Sequence, residues 1–153
     1  MEYKFAIVIT TKNRSEDLRI TLENLREYWE NPLVEFVVIN DGSTDNTKEV
    51  LEEFDKIRVL HHEVSKGYLF SRNRLFEETT APFLIFLDDD AHIISPKPLE
   101  LIEKTFEDSN CGVLAFRIYW GKNPIPFELL NEENRRVRGF VGCGHVWKRT
   151  AWN

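Results

Sequence analysis

The sequence predicts an α/β domain: a mostly parallel sheet with helices on both faces. Three observations carry this expectation. Short, β-branched, continuously apolar runs recur along the chain and read as strands covered on both faces. A segment with apolar residues at helical spacing follows most of them, and this βαβα order favours parallel strands joined by crossovers. Three of the strand signals end in polar clusters, at the carboxyl ends where open α/β sheets bind ligands.

The first strand is KFAIVIT, Lys4 to Thr10. A helix follows, with Ser15 as the expected N-cap, Glu16 and Asp17 in the first turn, and Leu18, Leu22, Leu25 and Trp29 along one side. Asn31 and Pro32 stop it. LVEFVVIN, Leu33 to Asn40, is the second strand, and the turn DGSTDNT leads into a helix whose inner face is Val50, Leu51 and Phe54. IRVLHH, Ile57 to His62, is a shorter third strand. SKGYLFSRNRLFEETT starts as a glycine-containing loop and becomes a helix with Leu69, Phe76 and Thr79 on one side. PFLIFL is the fourth strand, and three acids follow it directly. Ser95 and Pro96 then open a helix with Leu99, Ile102 and Phe106 inward. CGVLAFRIYW, residues 111–120, is a fifth strand. From Gly121 the signals weaken, to a loop with one short helix and then one or two strands with glycine bends.

Length and composition limit the function. A chain of 153 residues suits one domain with a real core. A net charge of -6 argues against a nucleic-acid backbone as the partner, since phosphate tracking needs a basic face. Cys111 and Cys143 are too few and too far apart for a disulfide framework or a zinc knuckle, which favours a reduced, cytoplasmic setting. No stretch reads as a transmembrane segment, which leaves peripheral membrane association open.

The polar rims carry the chemistry. The first strand ends in Thr10, Thr11, Lys12, Asn13 and Arg14, the second in Asn40, Asp41, Gly42 and Ser43, and the fourth in Asp88, Asp89 and Asp90. In extended geometry Asp88 and Asp90 project to one side and Asp89 to the other. Close carboxylates share a proton or bind a cation. Oxygen ligands select a hard ion, and Mg²⁺ or Mn²⁺ is held by one or two carboxylates plus substrate phosphates. A cation joining Asp88 and Asp90 to a diphosphate is therefore expected; the competing reading is a solvated acidic turn. Asp41 reads either as a tight-turn residue or as an acceptor for a ribose hydroxyl or a base N–H. Asn13 and Arg14 read as helix entry or as phosphate and base contacts. Gly67, Arg72 and Asn73 lie near a helix start that favours an anion, although Arg72 could simply cover the helix surface. His92, two residues past Asp90, is a weaker candidate ligand. Trp120, Trp147 and Trp152 suit either sugar stacking or packing.

Taken together, AIVITTKNR, FVVINDGSTDNT, KGYLFSRN and PFLIFLDDDAHI resemble, in order and spacing, the signatures of the family 2 glycosyltransferases of the Rossmann-like GT-A fold; GCGHVWKRTA resembles more loosely the strand where that family's acceptor side begins. The resemblance implies one domain over residues 1–153, with residues 1–120 binding a nucleotide sugar, commonly a UDP-sugar, and residues 121–153 starting the acceptor-side part. It implies that Thr10, Thr11, Asn13 and Asp41 line the nucleotide, with Arg14, Gly67 and Asp89 in the same set. Arg72 or Lys66 would approach the phosphates. Asp88 would contact the ribose or the shell of the metal, and Asp90 would ligate Mn²⁺ or Mg²⁺ as the cofactor. The implied reaction transfers the sugar, with inversion, to a carbohydrate or lipid-linked acceptor, without nucleic acid. The family's base is expected beyond Asn153, since Glu132 and Glu133 come too early, so the catalytic residue is unassigned. With the acceptor side truncated, apolar surface on residues 111–152 is expected to be covered by a homo-oligomer or a partner chain. The alternatives are a catalytically incomplete nucleotide-sugar-binding module and a nucleotidyltransferase. The latter is weakened by the lack of a glycine-rich, basic triphosphate loop, and a dehydrogenase by the lack of GxGxxG.

Overall fold

The computed structural model describes residues 2–121 and 135–152. The apolar runs form strands β1 (Phe5–Thr11), β2 (Val34–Asp41), β3 (Arg58–His62) and β4 (Phe83–Asp88). These four are mutually parallel, with β1 between β2 and β4 and with β3 outside β2. The chain winds outward from β1 to β3, then returns to the other side of β1 to lay down β4. The crevice between the carboxyl ends of β1 and β4 is thus a topological switch point, the place where this architecture leaves room for a ligand.

Strand pleating sorts the side chains into two cores. Phe5, Ile7 and Ile9 of β1, Phe36 and Val38 of β2, and Ile85 and Leu87 of β4 face one way. There they meet Leu18 and Leu22 of α1 (Ser15–Asn24), Trp29 of α2 (Arg26–Trp29), Val50 and Leu51 of α3 (Thr47–Glu52), and Ile102 and Phe106 of α5 (Pro98–Phe106). Trp29 is fixed in this layer by its indole N–H, which donates to the Leu22 carbonyl, and by an edge-on contact with Phe54. Ala6, Val8, Val37, Ile39, Leu84 and Phe86 face the other way, onto Leu75 of α4 (Tyr68–Glu78). With all five strand residues Phe5 to Ile9 at most 1% exposed, β1 is the centre of the domain.

Three local expectations change. The inner face of α4 is Ser71, Leu75 and, just past its end, Thr79, whereas Leu69 is 75% exposed. The small serine lets the helix approach the sheet and turns Leu69 and Phe70 to solvent. The last helix starts at Pro98, not at Pro96, because Lys97 before it adopts a left-handed φ of 51° and cannot be helical. Ser15 does not cap α1 with its side chain; its N–H is instead taken by the Asp45 carboxylate of the next loop, which also accepts from the Thr47 N–H at the start of α3.

The largest difference lies at the open edge of β4. The expected fifth strand over 111–120 is reduced to β5 (Val113–Ala115), and it does not pair with β4. The tail strand β6 (His145–Lys148) takes that edge instead, antiparallel to β4, and β5 pairs outside it. The full order is β3-β2-β1-β4-β6-β5. Val146 of β6 is fully buried. The guanidinium of Arg149, just past β6, donates to Phe76 O, Thr79 Oγ1 and Ala81 O, and its backbone N–H donates to Pro82 O, so the tail is clamped beneath β4. Trp152 stacks on Phe76 and meets Trp147 edge-on. The expected short helix and Glu132 and Glu133 lie outside the described residues. Among the described residues, no helix is long and apolar enough to cross a membrane.

Candidate functional site

A cleft of about 490 Å³ opens at the switch point, lined by Thr10, Thr11, Lys12, Arg14, Asp41, Ser65, Gly67, Tyr68 and the three aspartates 88, 89 and 90. Register brings these residues together: Thr10 lies opposite Asp88 and Thr11 opposite Asn40. The polar rims read from the sequence are therefore neighbours on one edge.

Asp41 organises one wall. Its carboxylate is 3% exposed and faces α4. Oδ1 meets the His62 ring Nδ1 at 2.7 Å and accepts the Lys66 N–H at 2.8 Å; Oδ2 accepts the Ser65 hydroxyl at 2.7 Å and the Gly67 N–H at 2.9 Å. A carboxylate has about four lone-pair sites, and all are used. Burial alone would raise the Asp41 pKa, but the His62 contact and the three further hydrogen bonds outweigh it and hold the carboxyl well below the usual range. Asp41 thus fixes the 65–67 loop, and Gly67 then enters α4 at a φ of 91°. Gly42 lets this loop pack close: at φ 68°, an added Cβ would lie 2.5 Å from the Ser65 nitrogen. Gly42→Ala is expected to destabilise the domain by about 2–4 kcal/mol, from the left-handed penalty plus the backbone displacement. A urea midpoint within error of wild type would contradict that packing.

The aspartates divide between the two sides of the sheet. Asp88 ends β4 on the α4 side, where its Oδ1 accepts from Tyr68 Oη and Arg72 Nη2, each at 3.1 Å. Asp89 turns to the other side and accepts the Thr11 hydroxyl at 2.8 Å. Asp90 lies in the turn closed by the Ala91 N–H to the Asp88 carbonyl, so strand alternation no longer governs it. It shares Arg14 with Asp89: Arg14 Nε lies 3.2 Å from Asp89 Oδ1, and Nη2 lies 2.8 Å from Asp90 Oδ2. Burial pushes the Asp89 carboxyl upward, reinforced by its two acidic neighbours and opposed by Thr11 and Arg14. Among the described residues, no three His, Cys, Asp or Glu side chains form a metal-holding group. Three carboxylates lining one open cleft nevertheless offer oxygen donors of the kind a hard cation takes together with phosphate and water.

The 142–145 segment borders the cleft. Arg72 lies 4.2 Å over the Tyr68 ring and donates from Nη2 to Gly142 O at 3.0 Å as well as to Asp88. Burial, then the Asp88 charge, pushes the Cys143 thiol up to about 11, so it stays protonated at neutral pH. Both cysteines are free. His145 stacks on Phe86 with ring centroids 5.1 Å apart, and its buried Nδ1 has no partner among the described residues. Burial, then the Arg72 charge, lowers its pKa to about 4. The stability this implies is fully present above the unfolded value of about 6.5 and is lost as pH falls toward the folded value, by up to about 3 kcal/mol. Wild type should therefore lose urea resistance between pH 7.5 and pH 5 more steeply than His145→Asn; equal slopes would contradict the assignment.

The expected residues do not all play equal parts. Thr10, Thr11, Arg14, Asp41, Gly67, Asp88, Asp89 and Asp90 converge on the cleft. Asn13 does not line it: at a left-handed φ of 53°, its Oδ1 accepts the Thr44 N–H and its own N–H donates to Ser43 Oγ, joining the first two loops. Arg72 stands behind Asp88. Lys12, Ser65 and Tyr68 are the lining residues the sequence reading gave no role. Tyr68 had a signal, since it opens the helix after Gly67. His92 is exposed and does not reach the lining.

An open α/β sheet with an acid-lined cleft at its switch point is what this fold and site define. The model of the glycosyl transferase family 2 matches residues 6–147, and the chain belongs to that family. The uncharacterized glycosyltransferase YibD of Escherichia coli is 31% identical over 110 residues, which is 69% of this chain and 31% of YibD. A poly-beta-1,6-N-acetyl-D-glucosamine synthase of Staphylococcus epidermidis is 29% identical over 113 residues, 72% of this chain and 27% of that protein. Among solved structures, the mannosyltransferase PcManGT of Pyrobaculum calidifontis, in complex with GDP-Man and Mn²⁺, matches with a TM-score of 0.74 at 19% identity, over 98% of this chain and 46% of that one. TarS 1-349 of S. aureus, in complex with UDP-GlcNAc, matches with a TM-score of 0.75 at 20% identity, over 96% and 46%. These structures share the GT-A fold with this domain. The chain spans about a third or less of the two sequence relatives and under half of either structure.

Proposed function

We propose that this domain binds the donor of a glycosyl transfer, a nucleoside-diphosphate sugar and in the first place a UDP-sugar, and holds a divalent cation against its diphosphate. The observation that carries this is the placement of Asp88, Asp89 and Asp90 at the β1/β4 switch point, facing Thr10, Thr11 and Arg14 across one cleft. The GDP-Man and Mn²⁺ of PcManGT and the UDP-GlcNAc of TarS support the ligand class.

Asp88 and Asp90 would hold Mn²⁺ or Mg²⁺, whose charge offsets the charge that grows on the departing diphosphate. Ser65 and Gly67, in the loop fixed by Asp41, line the cleft together with Thr10 and Thr11 and would border the nucleotide. Arg72 pairs with Asp88 and orients that carboxylate. In the transfer, the bond between the acceptor oxygen and the anomeric carbon forms as the bond from that carbon to the phosphate oxygen breaks. The configuration inverts, the nucleoside diphosphate leaves, and the hydroxyl proton passes to a carboxylate base not assigned to this chain. Trp120, Val137, Phe140 and Val141 are exposed large apolar residues. They support coverage of this side by a second copy or a partner chain; a strict monomer in micromolar sedimentation would count against it.

The deciding experiment titrates UDP and GDP with and without Mn²⁺, then assays donor hydrolysis and transfer. Mn²⁺-dependent UDP binding is the expected result. Binding without turnover identifies a donor-binding module, and release of pyrophosphate from a triphosphate would overturn the reading in favour of nucleotidyl transfer.

A further inference from the structure

Arg14 makes an arrangement that donor binding alone does not explain. Its Nη2 is within 2.8 Å of Asp90 Oδ2 and 2.9 Å of Asp17 Oδ2, and its Nε is 3.2 Å from Asp89 Oδ1. One guanidinium thus joins the acidic turn after β4 to the first turn of α1. Asp89 is the least exposed of the three acids and also holds Thr11, so its position is fixed. Asp90 and Asp17 are both about half exposed and hold the same guanidinium nitrogen. Lys12 also lines the cleft, but it makes no ion pair among the described residues.

We infer that Arg14 is the resident counter-ion of Asp89 and Asp90, and that it sets the affinity of the site for a divalent cation by competing for Asp90. Ligation through Asp90 Oδ2 requires Arg14 to give up that bond. Asp17 retains the guanidinium at the cleft lip, where it becomes a donor for the paired phosphates, a partner whose geometry suits arginine. The sharing of Nη2 between Asp90 and Asp17 keeps this exchange short. The effect is a site that takes cation and diphosphate together more readily than cation alone. The inference rests on the metal-and-donor reading above and adds a positioning and selectivity role for Arg14.

The test measures free Mn²⁺ by EPR during titration of the whole chain, first without nucleotide and then with UDP. Without nucleotide, Arg14→Gln is expected to tighten Mn²⁺ binding about fivefold, the scale of one partly exposed ion pair. Lys12→Gln removes the same charge without breaking a contact and should change binding by less than about twofold. Arg14→Lys keeps the charge but loses the fork, so it should also tighten Mn²⁺ binding, while both Arg14 variants lose part of the gain that UDP confers on wild type. Equal effects of Arg14→Gln and Lys12→Gln, or an Arg14→Lys protein that matches wild type, would overturn the inference. The two failures separate through Asp90→Ala: if that variant binds Mn²⁺ and UDP like wild type, the metal reading itself falls and this inference with it. If it loses binding while Arg14→Lys is unchanged, only the role of Arg14 falls.

Discussion

Asp90→Ala is expected to lower Mn²⁺-dependent UDP affinity by about 100-fold or more, beyond the 10–100-fold that loss of an outer-shell partner costs. UDP binding without metal should change little. The side chain of Asp90 is about half exposed and its only partner among the described residues is Arg14, so the fold should survive with a stability change of about 0.5 kcal/mol or less. Asp88→Asn is a useful companion. It keeps an acceptor for Tyr68 and Arg72 but removes the charge, so metal-dependent binding should weaken while the wall of the cleft stays in place. Calorimetric titrations of UDP with and without Mn²⁺ read both effects. Unchanged metal-dependent affinity in Asp90→Ala would remove the basis for assigning the acidic turn to a cation.

Asp41→Ala is expected to be the most destabilising single change at the site. It strands the N–H groups of Lys66 and Gly67 and the Ser65 hydroxyl, and leaves His62 without its partner. Breaking a buried, multiply bonded charge costs about 3–5 kcal/mol. The loop that leads into α4 should open, and nucleotide binding should fail with it. Asp41→Asn keeps the shape but points an amide donor at groups that are already donors, so it should restore only part of the loss. The pH signature is specific. The Asp41 pKa is lowered on folding, so its contribution is present above the unfolded value of about 3.9 and disappears as pH falls through the folded value. Acid unfolding of wild type should therefore extend well below the window of His145, and Asp41→Asn should remove that lower phase. An Asp41→Ala domain with wild-type urea stability would show that the loop is held by something else.

The parts of this molecule that were legible in the sequence are those fixed by local pattern. Continuous apolar runs such as FAIVI and FLIFL can only be covered on both faces, so the central strands and their parallel order followed. The polar clusters at their ends were legible as a site because strand ends on one side of a parallel sheet must share a rim. What was not legible depends on distant partners. Nothing local in HVWK says that it, rather than the longer CGVLAFRIYW run, takes the edge of β4; the buried Val146 and the Arg149 clamp decide it. The inner face of α4 was misread because Leu69 has the period of a core residue, yet Ser71 is what allows the helix to sit close. Asp41 was read as a turn or a ligand; that it also lies buried, with four contacts that support a neighbouring loop, depends on partners more than twenty residues away. The strand rule held for Asp88 and Asp89 and stopped at Asp90, where the turn begins and Arg14 takes over.

The acidic turn after β4 is expected to grip a cation shared with a donor diphosphate. A crystal structure of the domain grown with Mn²⁺ and UDP tests it most directly, because manganese is located by its anomalous scattering. A single strong peak is expected about 2.2 Å from a carboxylate oxygen of Asp90 or Asp88 and from oxygens of the diphosphate, with Arg14 withdrawn from Asp90. A peak elsewhere on the chain, or UDP bound in the cleft while both aspartates keep Arg14 and Arg72 and touch no metal, would contradict it.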